Sequence, residues 1–551
     1  MTIILTGFSG TGKTAVGQRV ARALGWEFAD TDELIVQRVG KPISQIFAED
    51  GESAFREHER QAVASACGRP GTVVSTGGGA VMDDANRRIM LDAGLLVCLE
   101  ATPETIYARL QSAVANEDSG TSVRPLLETS AQDPLERIES LKRERQWAYA
   151  LAQWTVPTDA LSVEQVAHEI LRTWRRFGPQ LIAGDDPHLA ATVIAESSSY
   201  PVMVGWDILE QQLGERMLAA GLQGRAYVIC DQNVIHPYGR MAQRSLHKAG
   251  IEAHYFIFPP GEASKSLATA ETLYGWLAER QVERRDTIVA IGGGVAGDLA
   301  GFVAATYLRG LSLVQVPTSL VAMVDSSIGG KTAVDLPAGK NLVGAFHQPS
   351  LVLTDVSALT TLPERALREG WAEALKHGLI MDASLVETYE SRADALLSLE
   401  PELTTEVVAR NAALKARVVT QDEKETTGLR TLLNYGHTIG HGVEAASGYE
   451  GYLHGEAVAI GMAGAAKLGL RTGVTPGDVV ERQQALLQRF GLPERMAGVD
   501  KEAALDAMAH DKKSSLGQVS WVLLEAIGHA TVHRGVSSED VDNVLTELGA
   551  S

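Results

Sequence analysis

The sequence predicts an α/β protein: two successive α/β domains followed by a mainly helical region. Three observations predict it. Short apolar runs alternate with helical patterns over residues 1–174. The alternation stops across 175–188 and resumes with strand candidates between 226 and 354. From Pro363 onward helical spacing prevails, with few strand signals before 519–524. The expected domains are therefore 1–174, 189–362 and 363–551. The linker is set at 175–188, where Arg-Arg-Phe-Gly-Pro-Gln-Leu-Ile-Ala-Gly-Asp-Asp-Pro loses periodicity and gathers Gly, Pro and Asp. A length of 551 residues exceeds one ordinary core, so several domains are expected on length alone.

The first strand is Ile3-Ile-Leu5, and Gly7-Phe-Ser-Gly10-Thr11-Gly12-Lys13-Thr14-Ala15 carries the chain from it into a helical pattern. That strand-loop-helix setting is what a P-loop needs. Glycines let backbone N–H groups close around phosphates, Lys13 supplies a cation, and Thr14 offers an oxygen to magnesium, so ATP with Mg2+ is the expected ligand. A weaker second strand at Trp26-Glu-Phe-Ala29 leads to Asp30-Thr-Asp32. A helix carries Arg56 and Glu59 at i,i+3. The strands Val73-Val-Ser75 and Leu95-Leu-Val-Cys98 follow, the former ending in Thr76-Gly77-Gly78-Gly79-Ala80. Together these predict a parallel sheet with helices on both faces.

Beyond the linker the strand candidates are Ala226-Tyr-Val-Ile-Cys230, Thr287-Ile-Val-Ala-Ile291, Ser312-Leu-Val-Gln-Val316 and Leu351-Val-Leu-Thr354. Gly292-x-Gly294-x-x-Gly297 follows the second and invites a Rossmann-like, dinucleotide-binding reading. The acid expected about twenty residues on is missing, since that stretch is Val314-Gln-Val-Pro-Thr318; Asp231 and Glu262 are the substitutes on offer.

Composition excludes several classes. A formal charge of −20 disfavours nucleic acid, and no apolar run is long enough to span a bilayer. The start passes directly into the glycine loop without a basic segment, so a signal peptide is not expected and a cytoplasmic location is. Three scattered cysteines fit a reducing compartment better than disulfides.

In the N-terminal domain one carboxylate of Asp30 and Asp32 can hold hydrated magnesium while the other orients an acceptor hydroxyl. Glu59 can hold Arg56 for bidentate carboxylate recognition. In order and spacing these motifs closely resemble shikimate kinase over residues 1–172. The resemblance implies that Asp32, Arg56, Gly78 and Arg145 bind shikimate, and that Thr14 and Asp30 serve magnesium. It also implies that Arg109 stacks on adenine and that Arg124, in Arg124-Pro-Leu-Leu127, is a lid arginine reaching the transferring phosphates. Arg145 is assigned from Arg145-Gln-Trp-Ala-Tyr149, which looks like the family's Arg-x-x-x-Tyr helix start. The connection 111–122 is longer than the family's and carries Glu117 and Asp118 in place of basic residues.

In the helical region, Arg430-Thr-Leu-Leu-Asn434-Tyr-Gly-His437-Thr-Ile-Gly-His441 sets Arg, Asn and two His at i, i+4, i+7 and i+11, near one face of a single expected helix. With His454 and Glu373 the donors suffice for a catalytic metal; spacing alone leaves open which histidines ligate. These residues, with Gly292 to Asp298, Val316-Pro-Thr318-Ser319, Val324-Asp325-Ser-Ser-Ile-Gly-Gly-Lys331 and Gly339-Lys340-Asn341, strongly resemble 3-dehydroquinate synthase from about 190 to the end.

The resemblance implies Zn2+ or Co2+ on Glu373, His437 and His454. It implies NAD+ at Asp231, Glu262, Lys265, Gly294, Val295, Ala296, Gly297, Asp298, Thr318, Ser319, Lys331, Lys340 and Thr361. Lys331, Asn341, Lys376, Lys415, Arg430, Asn434, His441 and Lys512 are implied around a substrate with carboxylate and phosphate. Arg309 is implied to reach a second subunit's phosphate site in a homodimer. The expected activities are phosphorylation of shikimate and cyclisation of 3-deoxy-arabino-heptulosonate 7-phosphate to 3-dehydroquinate. The alternatives are another small-metabolite kinase or a non-catalytic nucleotide module for the first half, and another sugar-phosphate cyclase or a polyol dehydrogenase for the second.

Overall fold

The computed structural model describes all residues except 117–133, 150, 160, 183–185, 196–197, 426–427, 449–450, 512–518 and 551. The chain divides into two compact units, Met1–Asp186 and Pro187–Ser551. The division falls within the expected linker, yet the helix Val163–Ile182 continues through its first half. The loss of apolar periodicity there does not end the helix.

The first unit holds a five-stranded sheet in the order Glu27–Asp30, Thr72–Ser75, Thr2–Thr6, Gly94–Glu100, Trp154–Pro157, all parallel. Side chains alternate across it with the period of two that strands impose. Ile3, Leu5, Val73, Leu95, Val97 and Leu99 join one apolar cluster with Val16, Val20, Val166 and Ile170. Ile4, Val74 and Leu96 join another with Val63, Ile138 and Leu141. Helices therefore cover both faces, Lys13–Leu24 and Val163–Ile182 on one, Gly51–Cys67 and Pro134–Tyr149 on the other. The central strand Thr2–Thr6 delivers the chain into the glycine loop at the carboxyl edge of the sheet, where open α/β sheets bind ligands.

The second unit holds a seven-stranded sheet in the order Leu189–Ile194, Ser199–Gly205, Leu351–Asp355, Ser312–Pro317, Thr287–Gly292, Ala226–Asp231, Ala253–Phe258. Only the first pair is antiparallel. A hairpin, Lys331–Leu336 with Gly339–Phe346, stands outside this sheet. The helices Glu364–Met381, Ala383–Leu397, Pro401–Gln421, His437–Ala446 and His454–Thr472 follow. One apolar cluster runs from sheet residues such as Val202 and Leu353 into helix residues such as Trp371 and Tyr389. The late strand signal is the hairpin Trp521–Ala526 with His529–His533. No helix among the described residues is long and apolar enough to cross a membrane.

One expectation is overturned. Arg430 to His441 is not a single helix: a 3-10 turn covers Arg430–Asn434, and a new helix starts at His437 after Gly436 in left-handed backbone, φ 79°. Glycine is needed there twice over, because a Cβ would also lie 2.7 Å from the Val458 carbonyl oxygen and from Met462 Cγ. Arg430 and Asn434 therefore do not share one helix with the two histidines.

Candidate active sites

In the first unit, Lys13 Nζ donates to the carbonyls of Gly7 at 2.7 Å and Phe8 at 2.9 Å, and Thr11 Oγ1 donates to Phe8 O at 2.9 Å. Gly10 and Gly12 have φ of 88° and 92°, and the helix bearing Lys13, Thr14 and Ala15 begins at once. The N–H groups of its first turn suit an anion. Thr14 Oγ1 donates to Asp30 Oδ2 at 2.9 Å, while Asp30 Oδ1 accepts the Asp32 N–H at 3.0 Å and caps the helix Thr31–Val39.

The three glycines after the strand Thr72–Ser75 each face a different group. A Cβ on Gly77 would lie 2.9 Å from Asp32 Oδ1 and 3.2 Å from Glu59 Oε1. One on Gly78 would meet the backbone of Ser9 and Gly7 at 3.3 and 3.4 Å, and one on Gly79 would meet Arg56 Nη1 at 2.8 Å. Arg56 donates to buried Glu59 at 2.8 Å and to Glu52 at 3.0 Å. Burial raises the Glu59 carboxyl above the usual range, against the pull of Arg56. Arg145 lies over the Phe8 ring, 5.7 Å from its centroid, and Tyr149 OH donates to Gly78 O at 2.6 Å.

Arg145 and Tyr149 close the helix Pro134–Tyr149 and do not start one, which corrects the expected helix-start setting. Arg109 donates to Thr158 Oγ1 at 2.9 Å and Thr158 O at 2.5 Å. Arg124 lies outside the described residues, as does part of the lengthened connection.

In the second unit, Gly293 precedes the helix Gly294–Thr306, which carries Val295, Ala296, Gly297 and Asp298. A Cβ on Gly292 would lie 3.4 Å from Asp231 Oδ2, and one on Gly293 would lie 3.1 Å from Ser319 Oγ. Thr318 N–H donates to Gly292 O at 2.9 Å. Lys265, almost fully buried, is ringed by Glu262 at 3.1 Å, Asp298 at 3.1 Å and Asn341 Oδ1 at 2.6 Å. Thr361 Oγ1 meets Tyr238 OH at 2.6 Å. Lys340 is 4.0 Å from Glu444, and Arg309 ends the turn Tyr307–Arg309 with φ 66°.

The metal-type cluster lies among the helices. Glu373 Oε1, fully buried and without a hydrogen bond among the described residues, faces Nε2 of His437 at 3.6 Å and of His454 at 3.5 Å. One donor atom from each lies within 4.8 Å of the others. Donors 2.0–2.1 Å from a tetrahedral zinc sit roughly 3.3 Å apart, so the three residues fit such an ion with a fourth position left for another ligand. Burial opposes ionisation of Glu373, but Lys376, His437 and His454 hold its carboxyl well below the usual range. His454, penalised by burial, is pushed up to about 10 by Glu373 and Glu444. His441 stacks edge-on against His437, with ring centroids 5.3 Å apart.

Cations line the neighbourhood. Lys376 pairs with Glu373, Lys415 with Asp325, and Lys331 with Glu425. Arg430, 3% exposed, donates to Glu423 O at 2.7 Å and to Gly329 O at 3.4 Å. Asn434 ends the 3-10 turn that holds Arg430. Lys512 lies outside the described residues. Sequence reasoning did not single out His377, fully buried with Nε2 3.7 Å from Asp325, or Glu444 against His454 at 3.4 Å. Glu444 follows His441 by about one helical turn, which is the signal that could have found it.

Residues 9–175 match the family profile described as shikimate kinase. Residues 255–369 and 370–514 match those of the 3-dehydroquinate synthase N-terminal and C-terminal regions. A 3-dehydroquinate synthase of Nostoc punctiforme is 47% identical over 350 residues, covering 63% of this chain and 96% of that protein. Among solved structures, a 2-epi-5-epi-valiolone synthase from Streptomyces hygroscopicus subsp. jinggangensis with NAD+ and Zn2+ bound is 29% identical with TM-score 0.59, covering 64% of this chain and 97% of that one. A 2-deoxy-scyllo-inosose synthase complexed with carbaglucose-6-phosphate, NAD+ and Co2+ is 28% identical with TM-score 0.59, covering 65% and 99%. The chain belongs to the 3-dehydroquinate synthase family and carries a shikimate kinase domain in the same polypeptide.

Proposed function

We propose that the chain is a bifunctional enzyme of one pathway. Residues 1–174 phosphorylate shikimate from ATP, and residues 189–551 convert 3-deoxy-arabino-heptulosonate 7-phosphate to 3-dehydroquinate and phosphate. The observation that carries the kinase reading is the juxtaposition of Arg56, Asp32 and the glycine loop across Gly77, Gly78 and Gly79. Arg56, oriented by Glu59, grips the shikimate carboxylate with Arg145, and Asp32 accepts the proton of the attacking hydroxyl. Lys13 and Arg124 stabilise charge on the transferring phosphoryl group. Magnesium, held through Thr14 and Asp30, supplies further neutralisation of that charge.

In the synthase, Glu373, His437 and His454 hold Zn2+ or Co2+, and the glycine loop with Asp231, Glu262 and Lys265 holds NAD+. Bound, these groups supply Lewis acidity at a substrate oxygen and a recyclable hydride acceptor. Lys376, Lys415, Arg430 and His441 bind and orient the anionic ends of the substrate, with Lys331, Asn341, Asn434 and Lys512 beside them. Arg430 and the lysines favour this substrate over those of other sugar-phosphate cyclases, which generally lack the carboxylate. A homodimer through the synthase half, with Arg309 at the partner's phosphate site, belongs to the same reading.

The test is ATP turnover with shikimate, its methyl ester and gluconate. Turnover with shikimate that is lost with the ester supports the arginine clamp; absence of shikimate-dependent turnover in protein that still makes dehydroquinate refutes the kinase assignment.

A further inference from the structure

The hairpin Lys331–Leu336 with Gly339–Phe346 is tied to the loop bearing Lys265 through Asp335. Asp335 sits at a register irregularity between Val334 and Leu336. Such irregularities re-aim a side chain. Its main-chain N–H donates to Lys265 O at 2.8 Å, and its Oδ1 accepts the Asn341 N–H at 2.8 Å and lies 3.7 Å from Lys265 Nζ. Lys265 Nζ closes the ring by donating to Asn341 Oδ1 at 2.6 Å. Asn341 is in left-handed backbone, φ 58°, which asparagine adopts more readily than most non-glycine residues, and the Asp335 carboxylate holds its N–H there.

Asp298 and Glu262 already provide two carboxylates to Lys265. Asp335 is therefore distinguished by its hydrogen bond to the Asn341 backbone, not by charge balance. We infer that Asp335 is a positioning residue that locks Lys265 and Asn341 into one unit, so that NAD+ and substrate strengthen each other's binding. This rests on the proposed synthase reading, in which Lys265 serves NAD+ and Asn341 the substrate. By linkage the strengthening is reciprocal.

The test measures NAD+ affinity of the metal-loaded full chain by calorimetry, with and without a phosphonate analogue of the substrate that cannot eliminate phosphate. The wild type is expected to show a coupling of about tenfold, Asp335→Ala less than about twofold, and Asp335→Asn, which keeps an acceptor for the Asn341 N–H, most of the wild-type value. Melting curves separate this from a general loss of fold, and Asp335→Val, which also lacks an acceptor and suits a strand, replaces the alanine variant if that one does not fold. Unchanged coupling in Asp335→Ala, no coupling in the wild type, or equal loss in Asp335→Asn overturns the inference. A wild type that neither binds NAD+ nor forms dehydroquinate sinks the synthase reading itself.

Discussion

Gly79→Ala tests the geometry of the proposed carboxylate clamp without replacing a charged group. Gly79 has φ −102°, which alanine adopts freely, so the backbone is not strained. The new Cβ would stand 2.8 Å from Arg56 Nη1 and 3.2 Å from Nη2, and the guanidinium must retreat by roughly 0.6 Å to restore ordinary contact. Misplacement by about 1 Å costs about 100-fold where orientation matters, so a loss of about tenfold, ~1.4 kcal/mol, is expected in kcat/KM for shikimate. The assay is ADP release against shikimate and ATP separately, with dehydroquinate formation by the same preparation as internal control. KM for shikimate should carry the change, while KM for ATP, synthase activity and melting temperature stay near wild type. A kcat/KM for shikimate within about twofold of wild type, or an equal rise in KM for ATP, refutes the placement of Arg56 against this glycine.

Other outcomes follow from burial and packing. Cys67, Cys98 and Cys230 are buried and their thiols are pushed up to about 12, so a disulfide reagent at about pH 8 should label none in native protein and all of them after denaturation. Gly461→Ala would set a Cβ 1.8 Å from Gly436 O and is expected to destabilise the second unit by about 3 kcal/mol or more and to lower the bound metal content, measured by melting and metal analysis. Removing the metal with pyridine-2,6-dicarboxylate should abolish dehydroquinate formation and leave the kinase, assayed in excess magnesium, unchanged. Burial, opposed by Lys265, pushes the Asp298 carboxyl up to about 6. The folded state then binds more protons than the unfolded one between roughly pH 4 and 6, so this group's contribution to stability declines as pH rises through that window, and Asp298→Asn should remove that slope from the melting profile.

Much of this architecture was legible because its signals are local. The glycine loop at Gly7 to Thr14 and the strands beside it are specified by consecutive residues, and the alternation of Ile3, Ile4 and Leu5 between two apolar clusters is a direct consequence of strand geometry. The break at Gly436 was not legible, since the polar spacing from Arg430 to His441 is compatible with one helix, and the close approach of Val458 and Met462 that leaves no room for a Cβ at 436 comes from residues distant in sequence. His377 escaped notice because its partner Asp325 is distant in sequence. Thr76 to Ala80 read alone as a turn, and only the fold shows Gly77, Gly78 and Gly79 each against a different functional group. The helix Val163–Ile182 passes through Gly178 and Pro179, where composition predicted a linker.

The central claim is that one chain carries two separate chemistries, and the most direct measurement assays both activities in Lys13→Ala and His437→Ala of the full-length protein. The account predicts that Lys13→Ala loses shikimate phosphorylation and keeps dehydroquinate formation, and that His437→Ala does the reverse. Loss of both activities in either folded variant, or the absence of one activity from the wild type, would contradict it.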